Sequence, residues 1–131
     1  MSEQQNVEAV TKIYEAFGRG DIPYIIDQLA DDVRWMSHLD SVVPWSGDRS
    51  GKANVPSFFQ AIDDSVDVLA FEPKEFVAQG DTVVSTGTFR ATVRDTGKTD
   101  DSPWVFIWKF DGAKVVSYEQ FHDPALASAF A

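Results

Sequence analysis

Apolar residues recur at two different periods along this chain, and the change of period divides it into a helical part and a strand part. In "NVEAVTKIYEAFGRGD", Val7, Val10, Ile13, Tyr14 and Phe17 fall at helical spacing, and Gly18 and Gly20 close the helix. Asp21 is placed to cap a second helix, with Pro23 tolerated in its first turn. Ile22, Ile25, Ile26 and Leu29 share one side of it. "DDVRWMSHL" then alternates as a strand, with Val33, Trp35 and Ser37 on one face and Arg34, Met36 and His38 on the other. "DSVVPWSGDRSGK" is rich in Pro, Gly and Ser and predicts a loop. In "VPSFFQAIDDSV" the helical period returns, aligning Val55, Phe58, Phe59, Ile62 and Val66.

Period two dominates from there on. "VLAFEPKEFVAQGD" predicts a strand interrupted near Pro73, and an edge position there. Three more strands are centred on Val84–Val93, Trp104–Phe110 and Val115–Phe121. "RDTGK" and "FDGAK" are the hairpin turns between them, the latter the stronger signal. Along Val84–Val93, the residues Thr86, Thr88, Arg90 and Thr92, with Arg94, make a polar face. Val83, Ser85, Gly87, Phe89, Ala91 and Val93 look inward. The order ααβαββββ predicts an α+β layer fold with a mostly antiparallel sheet. No repeat, linker or low-complexity tract divides the sequence, so residues 1–131 read as a single domain. One segment asks for more than a core: in "WVFIWKF" both faces of the strand are apolar or aromatic. The second face needs a helix layer, a partner chain or a ligand.

Composition narrows the chemistry. The chain is 44% hydrophobic with ten Phe, which implies a packed globular core. It has no Cys, which removes disulfides, thiolate nucleophiles and thiolate metal sites. The net charge is −10 and the eleven basic residues are scattered, an arrangement unsuited to nucleic acid or an anionic membrane. No apolar run reaches spanning length and "MSEQQNVEAV" does not read as a signal peptide, so a cytoplasmic location is expected. There is no glycine-rich phosphate cradle, dinucleotide fingerprint or G-x-S-x-G elbow, and no cofactor is expected. His38 and Asp40 form a His-x-Asp pair, but zinc needs a third protein ligand and the chain has only two His, so no metal site is expected.

The segments "IYEAFGRGD", "LADDVRW", "PWSGDRSGKANVPSFF", "FVAQGDTVV", "TGK" before an aromatic strand, and "DGAKVVSYEQFHD" occur in the order seen in the SnoaL-like family. The chain resembles that family, part of the ketosteroid-isomerase/nuclear-transport-factor-2-like superfamily, over nearly its whole length. The resemblance implies a cone: a strongly curved sheet wrapped around three helices, with a pocket between them. It also implies a homodimer through the outer face of the sheet, here Val105, Ile107 and neighbouring strands. Fold analogy does not deliver function, because the family holds isomerases, cyclases, hydrolases, dehydratases and binding modules.

The resemblance can be tested residue by residue. Ungapped alignment with the steroid isomerases puts their carboxylate base at Ser37, their oxyanion tyrosine at Ile13, one residue before Tyr14, and their protonated aspartate at Phe106. Enolisation by that route needs a base and oxyanion donors, so a steroid isomerase mechanism is not expected. The SnoaL-type cyclases place a pocket aspartate after the last strand, where this chain has Asp123. A desolvated carboxylate there would be a general acid or base. Asp before Pro124 is also a common turn and helix-start arrangement. His122 has the pKa for proton transfer near neutrality, and the period from Tyr118 through Gln120 carries it to the same face. Adjacent His122 and Asp123 point to opposite faces of a regular strand, so they act together only if the strand breaks between them. The expected pocket wall comprises Trp35, Ser37, Trp104, Phe106, Trp108, Tyr118 and Gln120, with Tyr14 and Phe59 from the helices and Trp45 as a lid. The reading is therefore a binder of a small, largely apolar molecule, with Asp123 and His122 as proton-handling candidates for cofactor-independent cyclisation, isomerisation or hydration. The alternative is a non-catalytic ligand-binding or dimerisation module.

Overall fold

The computed structural model describes residues 2–131. The described elements are α1 (Glu3–Gly18), α2 (Ile22–Asp27), β1 (Leu29–His38), β2 (Gly47–Ser50), α3 (Pro56–Ser65), β3 (Val66–Gln79), β4 (Thr82–Val93), β5 (Thr99–Asp111), β6 (Lys114–His122) and α4 (Ala125–Ser128), with a 3₁₀ turn at Lys52–Asn54. α1 opens on a reciprocal cap. Ser2 Oγ accepts the Gln5 N–H at 3.1 Å, and Gln5 Oε1 accepts the Ser2 N–H at 2.8 Å. Gly20, at φ 73°, turns the chain out of α1. Asp21 Oδ1 then accepts the Tyr24 N–H at 3.2 Å and starts α2, with Pro23 in its first turn.

The six strands form one curved, unclosed sheet in the order β2-β1-β6-β5-β4-β3. Every neighbouring pair is antiparallel except β1 and β6. This is the α+β fold the residue pattern predicts and the cone the family resemblance implies, with the N-terminal helices against the concave face. Val83, Ser85, Gly87, Phe89, Ala91 and Val93 of β4 are buried, while Thr86, Thr88, Arg90 and Thr92 are not. Burial alternates as strictly on β5. α1 packs on β3 and β4, and the inward rings of β1, β5 and β6 meet those of α1 and α3. Among the described residues, no helix is long and apolar enough to cross a membrane.

Five local expectations change. The loop after β1 contains β2, whose Gly47–Ser50 pairs with Ser37–Arg34. Backbone pairing along the edge of β1 needs no apolar alternation, so "GDRS" gives no strand signal. α3 ends at Ser65, and Val66 is already extended at φ −136°, ψ 155°. Arg94 ties off that helix end. Its Nη1 donates to Asp63 O at 2.6 Å, its Nη2 to Val66 O at 3.1 Å, and its Nε to Asp67 Oδ1 at 2.9 Å. β3 is an edge strand, but Pro73 does not interrupt it; the register shifts between Pro73 and Glu75 and pairing continues. Finally, β5 begins at Thr99, well before Trp104, and "DPALASAF" adds α4.

Candidate functional site

The inner face of the cone closes around an aromatic cavity with a free volume of ≈ 50 Å³. Tyr14 comes from α1, Phe58 and Phe59 from α3, Trp35 from β1, Trp104, Phe106 and Trp108 from β5, and Tyr118, Gln120 and His122 from β6. All four tryptophans of the chain line it. The "FDGAK" turn produces this arrangement. It pairs Trp104 with His122, Phe106 with Gln120 and Trp108 with Tyr118, which brings all six to the inner face. The rings fill most of the space. Trp104 stacks on Phe106 at 3.9 Å between centroids, Trp35 on Tyr118 at 4.0 Å, and Phe71 on Trp104 at 5.1 Å. One end is closed by Trp45 from the loop after β1. Its ring meets Phe89 and Phe130 edge-on at 6.4 and 5.8 Å. Thr96 Oγ1 holds the C-terminal segment there by donating to Ala129 O at 2.6 Å.

Few polar groups enter the wall. Trp108 Nε1–H donates to the Tyr14 hydroxyl at 2.9 Å, and Ser37 Oγ donates to Gln120 Oε1 at 2.6 Å. Trp35 Nε1 and Trp104 Nε1 are buried with no partner. Ser85 Oγ lies near the Tyr14 phenol without making a hydrogen bond of regular geometry. Burial pushes the Tyr14 phenol well up, against smaller opposing effects of Ser85 and Trp108. Tyr118 is pushed up by burial and, less, by Tyr14. Both phenols stay neutral at physiological pH, so both are donors and neither is a base. No carboxylate is among the described residues that line the cavity.

His122 is the one basic side chain in the wall. Its ring stands edge-on to Phe89 at 6.0 Å, and its Nε2 lies 2.9 Å from Ser102 Oγ. Ser102 Oγ in turn donates to Asp100 Oδ2 at 2.5 Å. Burial lowers the His122 pKa from its ordinary value, and the charges of Asp100 and Asp123 offset part of that. The imidazole is therefore neutral at pH 7.

The sequence pattern of the SnoaL-like domain matches residues 10–118. The chain belongs to the SnoaL-like family. A search of curated proteins gives no match. Among solved structures, an NTF2-like protein from Burkholderia xenovorans is 33% identical over 100% of this chain and 99% of its own, with a TM-score of 0.89. A protein called TerC, crystallised with polyporic acid, is 26% identical over 95% of this chain and 97% of its own, with a TM-score of 0.84. A candidate polyketide cyclase from Xanthomonas campestris shares the fold at 18% identity, covering 98% of each chain with a TM-score of 0.78.

In this SnoaL-like chain, Tyr14, Trp35, Trp45, Phe59, Trp104, Phe106, Trp108, Tyr118, Gln120 and His122 come together around the cavity. Phe59 is only partly buried, and it is Phe58 that sits fully inside. Ser37 is buried one layer out, behind Gln120. Asp123 does not join them. It is exposed, its Oδ1 accepts the Ala125 N–H at 2.8 Å, and its own N–H donates to Pro103 O at 3.0 Å. The carboxylate is spent on the turn into α4, the Asp-Pro arrangement named above, and reaches the cavity only through its field on His122. Sequence reasoning missed Ser102 and Asp100. Counting back by twos from Trp104 would have found them on the inner face, but "TDDSP" reads as a loop.

Proposed function

We propose that this SnoaL-like protein holds a small, largely apolar molecule within the cone. There His122 acts as the general acid or base of a cofactor-independent isomerisation or cyclisation. The observation that carries this reading is the His122 imidazole set in a largely aromatic wall that holds no carboxylate, where burial lowers its pKa. Neutral phenols and unpaired indole N–H groups in the same wall are suited to orient a polar atom of the ligand. The crystallisation of a similar protein with polyporic acid supports a small-molecule occupant. A free volume of ≈ 50 Å³ is below the roughly 150 Å³ at which a dry cavity takes up benzene, so the occupant enters by displacing rings. Trp45, on a loop rather than a strand, is the ring placed to move. Dimerisation through the outer face of the sheet is part of the same proposal.

Because every tryptophan lines the cavity, intrinsic fluorescence reads its occupancy directly. Polyporic acid is the first probe, alongside mass spectrometry of small molecules that co-purify with the protein. Saturable change of tryptophan emission, or a stoichiometric co-purified compound, is expected. Neither appearing would end the pocket reading. With a turned-over compound in hand, His122→Gln should lower kcat by about 10²–10⁴-fold, the usual contribution of a positioned acid or base. Binding with unchanged turnover in that variant would remove His122 from the chemistry. Saturable binding with no turnover of any bound compound would favour the binding-module alternative.

A further inference from the structure

The inner face of β5 does not end at its aromatic residues. Ser102 lies opposite Phe89 and Asp100 opposite Ala91 in the β4–β5 register, and both have the same parity as Trp104, the residue paired with His122. Ser102 is buried and Asp100 is partly buried. The three side chains form a continuous hydrogen-bonded line, Asp100–Ser102–His122, running along the strand to the cavity wall.

We propose that Ser102 and Asp100 are positioning residues for His122: they fix Nε2 as the nitrogen that carries the proton and leave Nδ1 as the nitrogen that takes one up or gives one away. This rests on the reading of His122 as the acid/base group. The argument is one of valence. A serine hydroxyl has a single proton. With Oγ 2.5 Å from a carboxylate oxygen, that proton points at Asp100, because the opposite arrangement would face two sets of lone pairs at short range. The Ser102 oxygen is then only an acceptor toward the ring, so the bond at 2.9 Å must be Nε2–H to Oγ. The same logic denies Ser102 the role of nucleophile, since its proton is committed to Asp100 and not to His122. The charges that act on the ring are those of Asp100 from β5 and Asp123 from the segment after β6, and both favour the imidazolium that forms when Nδ1 takes up a proton. Phe89, edge-on to the ring, and Trp104, paired with His122 across β5 and β6, carry no charge.

The test is two-bond ¹H–¹⁵N correlation NMR of the histidine rings across a pH titration of the ligand-free, full-length protein. The chain has only two histidines, so His38→Gln assigns the His122 signals. Above its pKa, His122 should show the Nε2–H pattern. Ser102→Ala should let the Nδ1–H form appear, and Ser102→Thr, which keeps the hydroxyl, should restore the Nε2–H form. Asp100→Asn should shift the His122 titration to lower pH, because a favourable charge is gone. An Nδ1–H ring in the unaltered protein would overturn the proposal. So would an unchanged tautomer and titration in both Ser102→Ala and Asp100→Asn. The measurement needs no substrate, so its failure is read separately from a failure of the His122 assignment, which turnover in His122→Gln decides.

Discussion

At the scale of the residue, one peptide bond separates two fates. His122 is the last residue of β6 and keeps the inward parity set by Tyr118 and Gln120; Asp123 is the first residue off the strand, and its carboxylate closes a turn. The environment of His122 has a thermodynamic consequence. Its folded pKa lies below its ordinary value because burial disfavours the imidazolium more than Asp100 and Asp123 favour it. Between the folded and unfolded pKa values the unfolded chain binds more protons, so stability falls as pH falls. The contribution is fully present above about pH 6.5, the unfolded value, and is lost as pH drops toward and through the lowered folded one. His122→Gln removes this linkage. Between pH 7.5 and pH 5.5, the urea midpoint of the unaltered protein should drop further than that of His122→Gln. Equal drops would show that the ring is solvated in the folded state. His122 was legible because a hairpin turn fixes parity over several residues. Its partners were not, because Pro103 and the acidic residues before it hide the start of β5.

At the scale of the element, β4 owes its shape to one missing side chain. Gly87 faces inward, paired with Trp104 of β5 on one side and with Pro73 of β3 on the other. A Cβ at Gly87 would overlap Trp104 Cζ2 and the Glu72 carbonyl oxygen. The second of these is backbone and cannot swing away. Gly87→Ala should therefore destabilise by about 1–3 kcal/mol, the usual cost of overpacking, and should disturb tryptophan emission as well. Denaturant unfolding checks the first and fluorescence the second. A loss within about 0.5 kcal/mol, as at an unconstrained surface site, would mean that Trp104 does not lie over β4. The elements themselves were mostly legible, since long strands with an inward apolar face and helices with an apolar stripe carry their period openly. The exceptions share a cause. β2 is held by backbone pairing with β1, the end of α3 by Arg94 from the turn after β4, and α4 by its turn. None of these contacts leaves a local period in the sequence.

At the scale of the whole molecule, the second apolar face of "WVFIWKF" remains to be covered. Val105 and Phe121 are paired neighbours on the outer face and are 37% and 42% exposed. Phe121 also pairs with His38 of β1, whose ring stacks on it at 4.8 Å. A second row runs beside them through Ile107, Val84 and Val77, the last 66% exposed. Scattered apolar residues on a surface need no explanation, but adjoining rows across four strands do. The proposed dimer would join two such faces about a two-fold axis, each Phe121 packing near the partner's outer face. Light scattering at micromolar concentration should return twice the 14.6 kDa chain mass. Phe121→Glu would bury a charge in each half of that contact without touching the cavity, so it should return a monomer that still binds the cavity's ligand. A monomeric mass for the unaltered protein would overturn the assembly. A dimer that survives Phe121→Glu would move the contact elsewhere, most plainly to the exposed Val68 and Leu69 on the edge strand β3. Because Phe121 lies between Gln120 and His122 with its side chain on the opposite face, the proposed dimer contact and the candidate site would lie on two faces of the same strand. A packed partner would hold β6 in the register that presents His122, so the monomeric variant should also show broadened His122 ring signals relative to the dimer.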